Sequence, residues 1–310
     1  MDEERIRTVQ DQIRNKIQLN GFEPERAATA VLNELAGLMV PNIKEIVPMA
    51  LERFKAQQHK ITYLQVSSIP RRREHEEWYD EPSKDGIWAN LYRYLLDIKG
   101  WDLYPTVKSI DETSTKIVSL LDNPGTAQFA TRSLVVGYVQ SGKTANMTAV
   151  TAKAVDANYK FVIVLAGMTD ALRSQTQERI ETDLTDQDPD RWHAWTTIDS
   201  DFSHSPSAGF PAPHPASRHF AVIKKNKWVL QRLLDTLKNT TPSILRSIPF
   251  LIIDDECDQA SVNASKYREE MTAINGLIRK ILHTVPRSAY IGYTATPFAN
   301  ILIDPSVSVD

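Results

Sequence analysis

Eight residues, Gly137-Tyr138-Val139-Gln140-Ser141-Gly142-Lys143-Thr144, fit the pattern G-x-x-x-x-G-K-[ST], and each residue type in it has a task in holding polyphosphate. Glycines let a backbone fold so tightly that its N–H groups point inward at phosphate oxygens, so Gly137, Gln140, Ser141 and Gly142 would line a cradle. Lys143 can reach β- and γ-phosphates as a compact positive charge. The Thr144 hydroxyl can ligate a magnesium ion bridging the same phosphates.

A second chemical cluster lies downstream in Phe250-Leu251-Ile252-Ile253-Asp254-Asp255-Glu256-Cys257-Asp258, an apolar run that ends in four acids within five residues. Like charges at a buried strand end are unfavourable without a cation to neutralise them, and magnesium on nucleotide phosphates would supply one. Asp255 is the expected metal-side carboxylate, holding a water of the metal's shell, with Asp254 as the alternative. Glu256 is placed to accept a proton from the water that attacks a γ-phosphate. Near the end, Tyr290-Ile291-Gly292-Tyr293-Thr294-Ala295-Thr296-Pro297 is again an apolar run entering a small polar turn. Hydroxyls of Thr294 and Thr296 there, together with Asp258, can hydrogen-bond and register whether a γ-phosphate is present.

Chemistry of this kind needs strands and helices that bring the three segments to one place. Leu134-Val135-Val136 precedes the glycine-containing loop as a buried strand would, and Ala145 to Val155 follows as an alanine-rich helix, which aims a helix amino end at an anion. Further short β-rich runs at Phe161 to Leu165, Phe220 to Ile223, Phe250 to Ile253 and Tyr290 to Tyr293 alternate with helical stretches, the signature of a parallel α/β sheet from residue 123 to 310. Residues 1–122 read instead as a helical domain. Apolar residues recur there at three- and four-residue steps: Ile6, Val9, Ile13 and Ile17, then Val31, Leu35 and Leu38, then Ile43, Ile46, Val47, Leu51 and Phe54. Helices are also expected over Ile87 to Ile98 and Asp111 to Leu121, the latter stopped by Asn123-Pro124-Gly125. The charge run with Arg71-Arg72-Arg73 reads as a solvated loop. Asp199 to Arg218, rich in serine, proline and glycine, reads as a long surface loop, and its His204, His214 and His219 lack the spacing of a metal site.

Composition narrows the setting. The chain has 310 residues, 42% of them hydrophobic, and a formal charge of -3, so it can bury a large core and carries no global cationic field for nucleic acid. The single cysteine, Cys257, excludes an internal disulfide framework and fits a reducing cytoplasm. A charged amino terminus and the lack of any long apolar run predict neither a signal peptide nor a membrane partner.

The order and wording of the three motifs resemble the first RecA-like lobe of superfamily 2 helicases and translocases: a P-loop (Walker A) G-x-x-x-x-G-K-T, then D-E-x-D at Asp255-Glu256-Cys257-Asp258, then T-A-T at Thr294-Ala295-Thr296. More closely, Val139 to Thr144, Ile252 to Glu256 and Gly292 to Asn300 look like the motor region of bacterial proteins that carry the Z-one domain, often labelled endonucleases. That resemblance covers roughly 132–303 and extends more weakly through Trp88, Tyr92, Leu95 and Trp101. It implies a P-loop NTPase lobe that binds ATP and Mg²⁺ and belongs to DNA-acting restriction or phage-defence systems, with a MORC-type ATPase, a methyltransferase or a nuclease as partners. Arg173, at the position of the family's motif Ia, and Lys224-Lys225, at a later strand end, are then the expected contacts to nucleic-acid backbone. Gln128 is the candidate adenine reader. The family's second lobe, which brings an arginine finger, is not in the sequence, so an amino-terminal fragment with slow hydrolysis is expected. Two other readings stay open: a nucleotide-gated regulatory or scaffold module that does not translocate, and part of an ATP-dependent endonuclease whose nuclease site lies outside this chain.

Overall fold

In a computed structural model of the chain, the residues described are 5–6, 8–10, 12–13, 16, 24–37, 40–58, 78–79, 84–136, 142–187, 189–214, 216–255, 257 and 265–294. They divide into two compact units, one of Met1–Tyr63 with Tyr92–Glu112 and one of Leu64–Leu91 with Thr113–Asp310.

The first unit is helical. Helices α1 (Pro24–Gly37) and α2 (Ile43–Gln58) close over Ile6, Val9 and Ile13 through Ala27, Ala28, Val31, Ile46, Val47 and Ala50. Three alanines at this seam remove bulk where the helices meet, and Val31, Ile43, Ile46 and Val47 are residues the helical spacing assigns to the buried side. Helix α3 (Ile87–Arg93) starts in the second unit and runs into a π-helical turn over Tyr94–Ile98, which together span the expected helix 87–98. Its last apolar residue, Ile98, is exposed rather than buried. Helix α4 (Lys108–Ser119) begins three residues earlier than expected.

Beyond α4 the second unit is built on β1 (Phe129–Val136), α5 (Lys143–Asp156), β2 (Phe161–Ala166), α6 (Asp170–Asp183), β3 (Trp192–Ala194), β4 (Arg218–Lys224), α7 (Lys227–Asn239), α8 (Pro242–Ser247), β5 (Phe250–Asp254), α9 (Ser265–Thr284) and β6 (Arg287–Thr294). The strands form one six-stranded sheet, order β1-β6-β5-β2-β4-β3, parallel throughout. Every residue of β2 is buried, which is why it reads as an unbroken apolar run and not as an alternation. On one face α7, α8 and α9 cover Phe161, Ile163, Leu165, Ile252 and Tyr290. The other face carries α5, buried along nearly its whole length by small residues such as Ala149, Ala152 and Ala154.

All five expected strands are present, and β3 is an addition. The segment between β3 and β4 departs from a surface loop: Phe202 and Phe210 sit in the core with Phe161 and Trp195. The Phe210 N–H donates to Thr240 Oγ1 at 2.8 Å, and the Asp201 carboxylate accepts N–H groups from Phe202 and Lys224. Burial raises the Asp201 carboxyl pKa despite those two donors.

Candidate functional site

Parallel strands deliver their carboxyl ends to one edge of a sheet, and three of the described segments with chemistry meet at that edge. Strand β1 ends at Val136, directly beside Thr294 of β6 in the register. Asp254, the last residue of β5, pairs with Gly292 of β6. Since β6 lies between β1 and β5, the phosphate-motif strand and the acidic strand stand two strand spacings apart, about 10 Å.

Helix α5 opens at this edge. Gly142 is its N-cap and no described side chain caps it, so first-turn N–H groups of a long buried helix face outward from the sheet edge. Lys143 and Thr144 are half-buried in that first turn. The Thr144 hydroxyl oxygen accepts a hydrogen bond from Arg179 Nη1 of α6 at 3.3 Å, which leaves it a second lone pair. Asn146, one turn in, is fully buried. Its amide oxygen accepts from the Tyr293 hydroxyl at 2.9 Å, and its amide nitrogen donates to Thr113 Oγ1 at 2.8 Å. This relay joins the phosphate-motif helix to β6 and to α4. The sequence reading missed it because a lone asparagine in an alanine-rich helix carries no local signal.

Successive residues of a strand point to opposite faces, and this separates the two adjacent aspartates. Asp254 shares the face of Phe250 and Ile252 and is buried. Its carboxylate is held by Lys225 Nζ at 3.1 Å and by the Tyr290 hydroxyl at 2.8 Å. Asp255 continues the ladder through its N–H to Leu165 O at 3.0 Å. It lies on the α5 side: the Tyr293 hydroxyl, whose pKa is raised chiefly by burial, is raised further by the charge of Asp255. The expectation that the acidic cluster as a whole needs a metal cation is therefore corrected for Asp254, since a lysine ammonium neutralises it from within. Gly292 permits the close approach of the next segment, because a Cβ there would stand 2.9 Å from Cys257 Sγ; the Cys257 N–H donates to Tyr293 O. Glu256, Asp258, Thr296 and the loop residues Gly137, Gln140 and Ser141 lie outside the described residues.

Other expected residues fall elsewhere. Gln128 immediately precedes β1, an eight-residue strand, so it stands at the amino end of the sheet, about 25 Å from the edge where α5 begins. It cannot read a base bound at Lys143 and Thr144. Arg173 is 2% exposed, and its guanidinium donates to the carbonyls of Thr197 and Ile198 and to Ser174 Oγ. Its work is to hold the turn after β3. Lys225 is equally covered, as described, and Lys224 forms an ion pair with Asp170 at 2.6 Å that lowers the carboxyl pKa of this exposed aspartate. Beside them stands a residue the sequence reading passed over, Trp228, 78% exposed with Lys227 Nζ 6.0 Å from its ring. Each of the three histidines is engaged: His204 with Gly209 O and His214 with the Ala216 N–H in the loop, and His219, which lies in β4 and not in the loop, with Trp195 Nε1.

A hydroxyl and a carboxylate at one sheet edge, with the amino end of a helix at the same edge, suit a hard cation and a polyphosphate. Mg²⁺ takes only one or two protein oxygens when phosphates supply others, so Thr144 and Asp255 fit it. No group of three or more histidine, cysteine, aspartate or glutamate side chains able to hold a metal occurs among the described residues, and no described helix is long and apolar enough to cross a membrane. No protein-family model matches the chain, and neither does any curated protein.

Proposed function

We propose that the second unit is a RecA-like P-loop lobe that binds and hydrolyses ATP with Mg²⁺, as the motor part of a DNA-acting bacterial defence protein. One observation carries this reading: Gly142-Lys143-Thr144, Asp255 and Thr294 come to the same edge of one parallel sheet, with β6 between β1 and β5, the strands that lead to the first two. Lys143 and the first-turn N–H groups of α5 would hold the phosphates, Thr144 and Asp255 the metal. When bound, the metal supplies charge neutralisation of the phosphate oxygens. Glu256 would take the proton of the attacking water, and Thr294 would report on the third phosphate.

A second reading is a nucleotide-gated module that does not move along DNA. The burial of Arg173 and Lys225 favours it, because two of the three cations expected to touch nucleic acid are spent inside the fold and the third, Lys224, is paired with Asp170, which leaves exposed contact to Lys227 and Trp228. ATP turnover measured with and without duplex DNA, beside Lys143→Ala, separates the readings. The motor reading expects DNA to accelerate turnover; a rate indifferent to DNA supports gating. In either case Lys143→Ala should lower turnover by about 100-fold or more, as expected for loss of a phosphate-clamping charge, and turnover that survives it refutes the site.

A further inference from the structure

Lys225 lies just past β4, two strands away from β5, with β2 between them. A lysine at a strand end ordinarily reaches into water. This one crosses the end of β2 and is 3% exposed, its Nζ shared between Asp254 Oδ1 at 3.1 Å and the main-chain oxygen of Asp255 at 2.6 Å. The second oxygen of Asp254 accepts from Tyr290 Oη at 2.8 Å, and Tyr290 is 5% exposed. Both main-chain polar groups of Asp255 are thereby pinned, its N–H to Leu165 O and its C=O to Lys225.

A buried ion pair is a poor stabilising device, since desolvating two charges costs about as much as their attraction returns, and apolar or neutral replacements are often tolerated. The arrangement makes better sense as alignment. We propose that Lys225, Asp254 and Tyr290 are positioning residues that fix the turn bearing Asp255, and that they withdraw Asp254 from competition for the metal. They leave Asp255 as the carboxylate presented on the α5 side. This deepens the reading of the site as an ATPase and rests on it. The network then serves the hydrolytic step more than the grip on nucleotide, because its anchor points are on the acidic turn and not on α5.

The experiment compares the wild type with Lys225→Met, Tyr290→Phe and the neutral pair Lys225→Met with Asp254→Asn. Melting temperature, affinity for a fluorescent ATP analogue with Mg²⁺, and kcat are measured on each. Lys225→Met alone should melt well below wild type, because it strands a buried carboxylate. The neutral pair should recover to within about 3 °C and bind the analogue within about threefold of wild type. Its kcat should nevertheless be lower by about 10- to 100-fold, the usual cost of losing a partner that orients a metal-side ligand, with a smaller fall for Tyr290→Phe. A neutral pair that turns over at the wild-type rate overturns the positioning role, as does a loss of affinity equal to the loss of kcat. A wild type that neither binds the analogue nor hydrolyses ATP refutes the ATPase reading itself, and with it the positioning role.

Discussion

Acidification should destabilise the sheet-bearing unit through His219. His219 is 7% exposed in β4, packed 5.6 Å from the Phe161 ring centroid and 5.4 Å from that of His193. Trp195 Nε1 donates to its Nδ1 at 3.1 Å. An indole can only donate, so Nδ1 is the bare nitrogen and the proton sits on Nε2, which is buried without a hydrogen-bond partner among the described residues. A second proton on Nδ1 would break the Trp195 bond and place a charge in an aromatic cluster. Burial first, and then the neighbouring His193, lower the pKa from 6.5 to about 4. In the unfolded chain the imidazole binds its proton at the ordinary value, so as pH falls the unfolded state takes up the proton first. The contribution is present in full above about pH 6.5, is lost as pH falls, and levels off below about pH 4. Linkage across that shift gives a loss of about 2 kcal/mol between about pH 7 and about pH 5. Urea unfolding at a series of pH values, for the wild type and for His219→Gln, which keeps an acceptor and cannot titrate, measures it. If the two proteins lose stability in parallel over this range, the assignment to His219 is wrong.

Two further outcomes follow from buried hydrogen bonds. Tyr293→Phe removes the hydroxyl that satisfies Asn146 Oδ1 in a fully buried setting, and should cost about 2 kcal/mol by denaturant unfolding, the sum of a lost bond and a stranded acceptor. A change under about 0.5 kcal/mol would mean that the amide finds another donor. Asp156, at the end of α5, accepts the N–H groups of Ile87 and Trp88 at 2.8 and 2.9 Å and so caps α3 from a distance in sequence, with its pKa raised by burial. Asp156→Ala should cost about 1–2 kcal/mol. Gly86→Ala, whose Cβ would overlap that carboxylate, should cost a similar amount without adding to it in the double variant. Full additivity would show that the two changes act on different contacts.

How much of this was legible in the sequence depended on how local the cause was. Buried parallel strands show themselves as apolar runs, so β1, β2, β4, β5 and β6 could be read directly, and the small-residue helix α5 with its Gly-Lys-Thr start likewise. Strand β3 could not: it is three residues long, Trp-His-Ala, with one polar aromatic facing each way. The burial of Phe202 and Phe210 was hidden by the serine, proline and glycine around them, whose local turn signals say nothing about an aromatic side chain that finds Phe161 from a distance. The fates of Arg173 and Lys225 were hidden for the same reason. A cation in a helix or after a strand looks alike in sequence whether it meets water, a carbonyl 24 residues away or a carboxylate 29 residues away. Two points were recoverable by counting alone. Eight strand residues separate Gln128 from the sheet edge, and the two-residue period of β5 puts Asp254 on the face of Ile252.

That alternation is what makes the acidic strand end workable. If Asp254 and Asp255 pointed the same way, two adjacent carboxylates would share one setting and repel each other. Turned to opposite faces, they meet different partners: Asp254 receives an ammonium from just past β4 and a phenol from β6, while the charge of Asp255 is felt at the Tyr293 hydroxyl. Tyr290 and Tyr293 of the same strand thus serve opposite sides of the sheet, one completing the shell of Asp254 and the other tying β6 to Asn146. Each tyrosine has its pKa raised by burial and by the neighbouring aspartate, so both remain proton donors at neutral pH. A change at either should therefore be felt on its own side first: Tyr290→Phe in the alignment of the acidic turn, Tyr293→Phe in the seating of α5. If both gave the same pattern of lost affinity and lost turnover, the two sides would not be separate devices, and the division of labour inferred from the strand's alternation would fail.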